Sequence, residues 1–130
     1  MVGPSTKIWV DGGHNASAGE ALAEAIRINL GGEPVVLILG MLQTKSPAEF
    51  IAPLLPWVEK VYPITLDAEA GLTEAALATQ LREVGAPVLC SGSLEAAVQH
   101  AGSEGNKNIV VCGSLYLAGQ VLSMNDEYIN

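Results

Sequence analysis

The stretch KIWVDGGHNASAGEALAEAIRINL, residues 7–30, combines two patterns that follow one another without a linker. Its first four residues form an apolar run typical of a strand that is buried on both faces. From Ser17 onward the apolar spacing is that of a helix, whose mostly apolar face comprises Ala18, Leu22, Ala25, Ile26 and Asn29. The stretch therefore predicts a strand, a turn and a helix that packs on a sheet.

This unit recurs along the chain. Two helices are predicted to begin at the capping boxes Ser17-x-x-Glu20 and Ser46-Pro47-x-Glu49 and to run to about residues 30 and 55. Further helices are predicted over about 73–84, over about 94–101 and after Ser114. Five runs rich in β-branched residues predict strands: KIWV (7–10), PVVLILG (34–40), KVYPIT (60–65), PVLCS (87–91) and NIVVCG (108–113).

Regular alternation of strands with helical crossovers indicates the fold class. We expect an α/β protein with a three-layer, doubly wound Rossmann-like architecture, in which a mainly parallel sheet of about five strands carries helices on both faces. At 130 residues, the chain is expected to form a single domain over residues 1–130.

Composition excludes several classes of partner. Fourteen acidic residues against six basic ones give a formal net charge of −8, which repels nucleic acid and anionic lipid. No apolar run approaches membrane-spanning length, and the N-terminal residues do not resemble a signal peptide. Cys90 and Cys112 lie in apolar runs and are predicted to be buried small hydrophobic residues. These features predict a cytoplasmic protein without nucleic-acid or membrane partners.

Polar residues follow the predicted strands, at the edge where open parallel sheets bind their ligands. This carboxyl edge comprises Asp11 to Asn15 after the first strand, Gly40 to Lys45 after the second, Asp67 after the third, Ser91 and Ser93 after the fourth, and Gly113 and Ser114 after the fifth.

Each of these residues also has an ordinary structural role open to it. Asp11 and Asn15 could satisfy turn amides ahead of the first helix, and His14 could be a hydrogen-bonded turn residue. Lys45 could be a solvated neighbour of the Ser46 cap. Ser114 could be a helix cap with or without a ligand contact. His100, near the end of the fourth helix, is explained by the helix dipole alone.

Known motifs for phosphate and metal binding do not occur. The chain contains no GxxxxGK[ST] sequence, and DGGHNASAG does not match GxGxxG because its glycines fall at 12, 13 and 19. No HExxH motif or Cys/His cluster indicates a metal site. The polar edge is thus predicted to lack a complete catalytic apparatus.

Three stretches together carry a resemblance to a known family: VDGGHN (10–15), LILGMLQTKSPAEFIAPL (37–54) and VVCGSLYLAGQVL (110–122). From about residue 7 to 124 the chain resembles the C-terminal domain of bacterial folylpolyglutamate synthase / dihydrofolate synthase, in the Mur ligase superfamily. Such enzymes use an N-terminal P-loop ATPase domain and MgATP to phosphorylate a substrate carboxylate. The amine of L-glutamate then attacks the acyl phosphate and an amide forms.

The resemblance implies roles for four residues. Asp11 would contact the ATP, through its ribose, and His14 would lie close to the nucleotide. Lys45 and Ser114 would hold the carboxylates of the incoming glutamate. A carboxylate can accept hydrogen bonds from both ribose hydroxyls but repels phosphate, and a lysine complements a dicarboxylate. No catalytic residue and no metal ligand is assigned to the chain itself.

The resemblance also implies partners: L-glutamate, ATP, folate or dihydropteroate, and the N-terminal ATPase domain, which would hold most of the ATP and Mg. The chain is expected to be monomeric, to fold alone and not to turn over ATP alone. It departs from the family where DGGHNA lacks the usual alanine among the glycines and proline after asparagine. A nucleotide-binding arginine upstream of this motif falls in a segment that the chain lacks.

Other functional classes remain to be weighed. The chain could be a stand-alone Rossmann- or flavodoxin-like binding or interaction module without catalysis, which docks through its Ala-rich surface. A phospho-accepting receiver needs an acidic pair after the first strand and a lysine after the last. The chain has Asp11-Gly12 and Gly113-Ser114 at these places, which disfavours a receiver.

Overall fold

The computed structural model describes residues 7–10, 15–31, 33–43, 46–66, 70–90, 92–103 and 108–113, the first range as backbone only. Its strands and helices, in chain order, are β1 (Lys7–Val10), α1 (Ala16–Leu30), β2 (Val35–Leu39), α2 (Pro47–Ile51), a 3-10 helix (Ala52–Trp57), β3 (Val58–Pro63), α3 (Glu74–Glu83), α4 (Leu94–Ser103) and β4 (Asn108–Cys112). The predicted helix after Ser114 lies outside the described residues.

The four strands form one parallel sheet in the order β1-β4-β2-β3. β4 is the last strand in sequence but lies between β1 and β2. Its register pairs Val111 with Val10 on one side and Cys112 with Leu39 on the other. The predicted α/β fold with a parallel sheet is confirmed.

The sheet is covered on both faces. Alternate residues of β2 point to opposite sides, and all five are at most 1% exposed. Leu37 packs with α1, α2 and α3, whereas Ile38 packs with α4. Burying a large apolar side chain contributes about 1.5–3 kcal/mol, so the two clusters fix the helices firmly on the sheet. Helices on both faces were predicted, and this prediction is confirmed.

The predicted fourth strand, PVLCS, is not confirmed. Within 87–90, only Val88 forms a parallel bridge, with Val61 of β3. The amide of Val61 donates to Pro87 O and the amide of Leu89 donates to Val61 O, both at 2.9 Å. Proline has no N–H to offer a ladder, and a left-handed glycine at Gly92 (φ +89°) turns the chain away. Residues 87–90 therefore add one isolated bridge, and no fifth strand, to the four strands that the described residues form.

The first helix begins earlier than its predicted cap. Asn15, in an extended conformation, accepts a hydrogen bond from Ala18 N at 2.8 Å through Oδ1, so α1 starts at Ala16. Ser17 lies inside the first turn, and the predicted Ser17 capping box is wrong. Asparagine is as good an N-cap as serine and comes first along the chain. The alternative role given to Asn15, that of satisfying a turn amide, is confirmed.

The second predicted cap is confirmed, because Ser46 Oγ accepts from Glu49 N at 3.3 Å and Pro47 is the first helical residue. The helix predicted to run to about residue 55 is α-helical only to Ile51 and continues as the 3-10 helix, which contains two prolines. In the parts of the chain that the structure describes, no helix is both long and apolar enough to cross a bilayer.

Candidate functional site

The carboxyl ends of three neighbouring strands form the candidate site. The order is β1-β4-β2, and the register places Val10 beside Val111 and Leu39 beside Cys112, so the three strands end within one residue of each other. Adjacent strands lie about 5 Å apart, so these three ends span about 10 Å. The loops that follow them in sequence therefore all start at one short stretch of the sheet edge.

The helices that connect β1 and β4 to the rest of the chain lie on opposite faces of the sheet. α1 leaves β1 on the face that also carries α2 and α3, whereas α4, which leads into β4, lies on the other face. In open α/β sheets, ligands bind beyond the carboxyl ends of strands where the strand order reverses. The insertion of β4 between β1 and β2 creates such a reversal.

Two glycines join the ends of β2 and β4 tightly. The amide of Gly40 donates to Cys112 O at 3.3 Å, and Gly113 has a left-handed backbone with φ +98°. A β-carbon on Gly113 would come within 3.0 Å of Gly40 O and of a Leu39 methyl carbon. Only glycine fits both the conformation and the space, so the two loops leave the sheet from a fixed common point.

A short segment before α3 lies against the loop that follows β2. Leu42 and Gly71 form an antiparallel bridge, flanked by hydrogen bonds from Gln43 N to Ala70 O (2.7 Å) and from Leu72 N to Met41 O (2.8 Å). We refer to residues 70–72 as the strap. Met41 is fully buried, so this loop is held from inside by the core and from the side by the strap.

Each of the four described α-helices has a side-chain oxygen that accepts from an amide of its own first turn. For α1 and α2 these are the caps on Asn15 and Ser46, and for α4 it is Ser93 Oγ, which accepts from Ala96 N at 3.0 Å. At α3, Thr73 Oγ1 accepts from Ala76 N and Thr65 Oγ1 accepts from Glu74 N. These amides are satisfied within the chain, which reduces what the four helix starts can offer to an anionic ligand.

The four residues assigned to ligands, Asp11, His14, Lys45 and Ser114, lie outside the described residues, as do Asp67 and Ser91. Their immediate neighbours in sequence are described. Val10 precedes Asp11, Ser46 follows Lys45, and Gly113 precedes Ser114. The neighbours Val10 and Gly113 belong to the shared sheet edge, and Ser46 caps the helix that follows β2.

Sequence reasoning missed a contact that ties α3 to the start of α4. Glu74 Oε1 accepts a hydrogen bond from Gly92 N at 3.0 Å. Gly92 is in a left-handed conformation, which turns the chain into Ser93 and α4. The signal available in the sequence was a glycine between two serines, which indicates a turn but not its partner.

The two cysteines differ. Cys112 is buried in the centre of the sheet, as predicted, whereas Cys90 is exposed and its predicted burial is wrong. Cys90 lies on the segment 87–90, which forms only one bridge at the edge of the sheet. Its sulfur is 3.9 Å from a guanidinium nitrogen of Arg82.

His100 has a partner that the helix dipole did not predict. Its Nδ1 lies 2.6 Å from the hydroxyl oxygen of Tyr62, and the two rings meet edge to face. Tyr62 is only 1% exposed, so this hydrogen bond satisfies a buried phenol. The pair joins the second half of α4 to Tyr62, the residue before the last of β3.

The described residues offer no metal site and little charge at this edge. No three histidine, cysteine, aspartate or glutamate residues among them lie close enough together to hold a metal ion. The described salt bridge joins Arg27 to Glu24 in the exposed C-terminal half of α1, where the hydrogen bond from Arg27 lowers the pKa of Glu24. This pair is remote from the start of α1, which faces the candidate site.

Comparisons with known proteins agree on one family. The family model described as dihydrofolate synthetase, C-terminal domain, matches residues 1–124. A dihydrofolate synthetase of Saccharomyces cerevisiae is 27% identical over 134 residues, which cover 94% of this chain and 31% of that protein.

Solved structures agree with this assignment. Folylpolyglutamate synthase of Mycobacterium tuberculosis, complexed with ADP, superposes with a TM-score of 0.82 at 25% identity and covers 90% of this chain and 29% of its own. E. coli FolC, in complex with DHPP and ADP, gives a TM-score of 0.82 at 26% identity over all of this chain and 31% of its own. A bifunctional folylpolyglutamate synthase/dihydrofolate synthase with Mn, AMPPNP and L-glutamate bound gives 0.78 at 25% identity, covering 97% of this chain and 30% of its own.

The chain thus spans about a third of the length of these relatives. Its four-stranded parallel sheet, its helices on both faces and the match over residues 1–124 are mutually consistent. The chain belongs to the dihydrofolate synthetase C-terminal domain family.

Proposed function

We propose that the chain is the C-terminal domain of an ATP-dependent ligase that adds L-glutamate to dihydropteroate or to a folate that already carries glutamate. In this reaction a substrate carboxylate oxygen attacks the γ-phosphorus of ATP, which gives an acyl phosphate and ADP. The amine of L-glutamate then attacks the acyl carbon, the amide bond forms, and phosphate leaves as the nitrogen loses a proton. The chain contributes contacts to the nucleotide and to the glutamate.

The observation that carries this proposal is the strand order. β1, β4 and β2 are neighbours, and they are the strands followed by Asp11, by Gly113-Ser114 and by the loop with Lys45. A ligase has to hold ATP and an amino acid close together, and positioning of this kind supplies a large share of the rate. Adjacent carboxyl ends offer such a placement, which supports one shared cleft for the two ligands.

The chemistry of the four residues fits these ligands. Asp11 can accept hydrogen bonds from both ribose hydroxyls, while its charge opposes a phosphate at the same place. His14, three residues further on, lies close to the nucleotide in this proposal. Lys45 offers a cation and Ser114 a hydroxyl to the two carboxylates of L-glutamate. Because the chain has only six basic residues, a lysine at this edge is a distinctive feature.

The remaining machinery belongs, in this proposal, to an N-terminal P-loop ATPase domain. That domain would bind the phosphates and Mg, because the chain contains no P-loop sequence and its described residues include no metal-binding group. Relatives solved with ADP, and one solved with Mn, AMPPNP and L-glutamate, support the same set of ligands. Dihydropteroate or folate would also be bound mainly outside the chain.

A monomeric state and a cytoplasmic location complete the proposal. Both cysteines are free thiols, as is usual in a reducing compartment. The alternative of a stand-alone binding or interaction module without catalysis gains no support from the comparisons, whose matches are synthases.

Titration of the ¹⁵N-labelled chain tests the proposal. We expect ATP to shift the amide resonances of residues 11–15, and L-glutamate to shift those of 41–46 and 113–116. Lys45→Met should abolish the glutamate shifts. The matched control is Arg27→Gln, which removes one positive charge from an exposed pair at the far end of α1 and should leave them unchanged.

Two results would count against these assignments. One is the absence of shifts at millimolar ligand, and the other is shifts that cluster away from the carboxyl edge. Weak binding by itself is compatible with the proposal, since each ligand would make only part of its contacts with this chain.

A further inference from the structure

The strap, residues 70–72, holds the first half of the loop that leads from β2 to Lys45. Gln43 N donates to Ala70 O at 2.7 Å and Leu72 N donates to Met41 O at 2.8 Å, on either side of the Leu42–Gly71 bridge. These are short main-chain hydrogen bonds between segments about thirty residues apart in sequence. The loop is therefore bound to a separate part of the chain directly before the residues predicted to bind glutamate.

The strap is itself fixed at its C-terminal end. Leu66, which follows β3, donates its amide to Leu72 O at 3.1 Å, and Thr73 caps α3 immediately after the strap. Leu66 and Leu72 are 3% and 8% exposed and anchor the segment in the two core clusters. The strap thus holds the loop after β2 in a fixed position relative to β3 and α3.

Gly71 is the residue on which this packing depends. A β-carbon there would come within 3.0 Å of the carbonyl carbon and oxygen of Leu66. These are main-chain atoms, so the clash could not be relieved by a rotamer change, and either the strap or Leu66 would have to move. Any side chain at position 71 therefore disturbs the packing between the strap and Leu66, which anchors it.

The far end of the loop is fixed independently. Ser46 is the N-cap of α2, whose helix is packed in the core through Phe50 and Ile51. Two residues separate Gln43 from Ser46, and one of them is Lys45. The described residues on both sides of Lys45 are therefore fixed, Gln43 by the strap and Ser46 by its helix. A binding site that is organised before the ligand arrives loses less entropy on binding.

We propose that the strap positions the glutamate-binding loop and that Gly71 is its key positioning residue. This inference rests on the function proposed above and adds a residue that the resemblance did not assign. The strap should affect one ligand selectively, because it contacts the loop after β2 and makes no described contact with the end of β1. Disturbing the strap should weaken the binding of L-glutamate and leave the binding of ATP unchanged.

The test compares Gly71→Ala with the parent chain. We expect the apparent Kd for L-glutamate to rise about tenfold, the effect of losing one well-placed polar contact, with no change for ATP. Hydrogen exchange of the Gln43 amide, measured without ligand, should accelerate because its bond to Ala70 O is broken or lengthened. The control is Gly85→Ala, which strains a left-handed glycine at the end of α3 with open space around it. It should destabilise the fold without either effect.

A second, less disruptive variant keeps the inference testable if Gly71→Ala does not fold. Ala70→Gly introduces no clash and only loosens the strap, so the Kd for L-glutamate should rise about threefold. Unchanged glutamate binding together with unchanged Gln43 exchange, in either variant that folds, would overturn the inference. If the parent chain binds no L-glutamate, the proposed function fails. The ligand-free exchange of Gln43 then still decides whether the strap holds the loop.

Discussion

Gly19 in α1 packs directly on the main-chain carbonyl of Phe50 in α2. A β-carbon at Gly19 would approach Phe50 O to within 3.0 Å and would also meet the ring of Pro53. Each of the two residues donates its amide to the cap of its own helix, Gly19 to Asn15 O at 3.0 Å and Phe50 to Ser46 O at 3.1 Å. The first turns of two helices that start at the carboxyl edge are therefore in main-chain contact.

This contact predicts an unusual response to Gly19→Ala. Alanine in place of a helical glycine normally stabilises by about 1 kcal/mol. Here we expect the clash to outweigh that gain and to lower the free energy of unfolding by about 1–3 kcal/mol. Urea denaturation measures the change, with Ala21→Gly on the exposed side of the same helix as a control expected to cost about 1 kcal/mol. A Gly19→Ala chain more stable than its parent would show that α1 and α2 are not so close.

Gly113→Ala should destabilise more than a substitution at a comparable glycine elsewhere. Its left-handed φ costs any other residue about 1–2 kcal/mol, and the clash with Gly40 O adds to that. Gly31, also left-handed but with open space around it, is the matched control, because Gly31→Ala pays only the conformational cost. Equal losses of stability in the two variants, measured by urea denaturation, would argue against the tight junction of β2 and β4.

The cap of α1 can be assigned by two substitutions. Asn15→Ala should lower the free energy of unfolding by about 1 kcal/mol, because the amide of Ala18 loses its acceptor. Ser17→Ala should change it by less than about 0.5 kcal/mol, since Ser17 is an exposed residue within the first turn. Thermal unfolding of both variants distinguishes the two assignments, and the reverse order of effects would restore Ser17 as the cap.

The 130-residue chain by itself is expected not to hydrolyse ATP. The groups that stabilise a transferring phosphoryl group are the P-loop and its metal ion, and the chain has no P-loop sequence. Release of inorganic phosphate from MgATP, measured with and without L-glutamate, checks this expectation. Turnover above the rate in buffer, if it were lost in Asp11→Asn, would place the complete phosphoryl-transfer site within these residues.

Strands that are buried on both faces could be predicted from the sequence, because burial makes nearly every residue in them apolar. Val35–Leu39 is entirely apolar because every residue is covered, and the β4 run NIVVC has the same character. Residues 87–90 are similarly apolar but lie at the edge of the sheet, where only Val88 forms a bridge. Composition alone does not distinguish a central position from an edge, because strand order is set by distant pairing.

About as much of the candidate site as of the fold could be predicted from the sequence. The carboxyl edge follows from the alternation of strands and helices, and the structure adds that β1, β4 and β2 are neighbours there. The strap could not be predicted, since its contact with Met41–Gln43 is made by main-chain atoms, which leave no periodic pattern in the side chains. Asn15 and Ser17 were both credible caps two residues apart, and only the geometry of the turn decides between them.

The central place of β4 has a consequence for how the domain is made. β1 pairs, among the described strands, with β4 alone, and that register joins Lys7 to Asn108, about a hundred residues later in synthesis. During translation, β1 leaves the ribosome about a hundred residues before β4 is synthesised. It therefore has no strand to pair with until nearly all of these residues have emerged. Pairing so distant in sequence is slow to form. Completion of the sheet, and with it the three-strand carboxyl edge, is therefore expected to be a late event in folding.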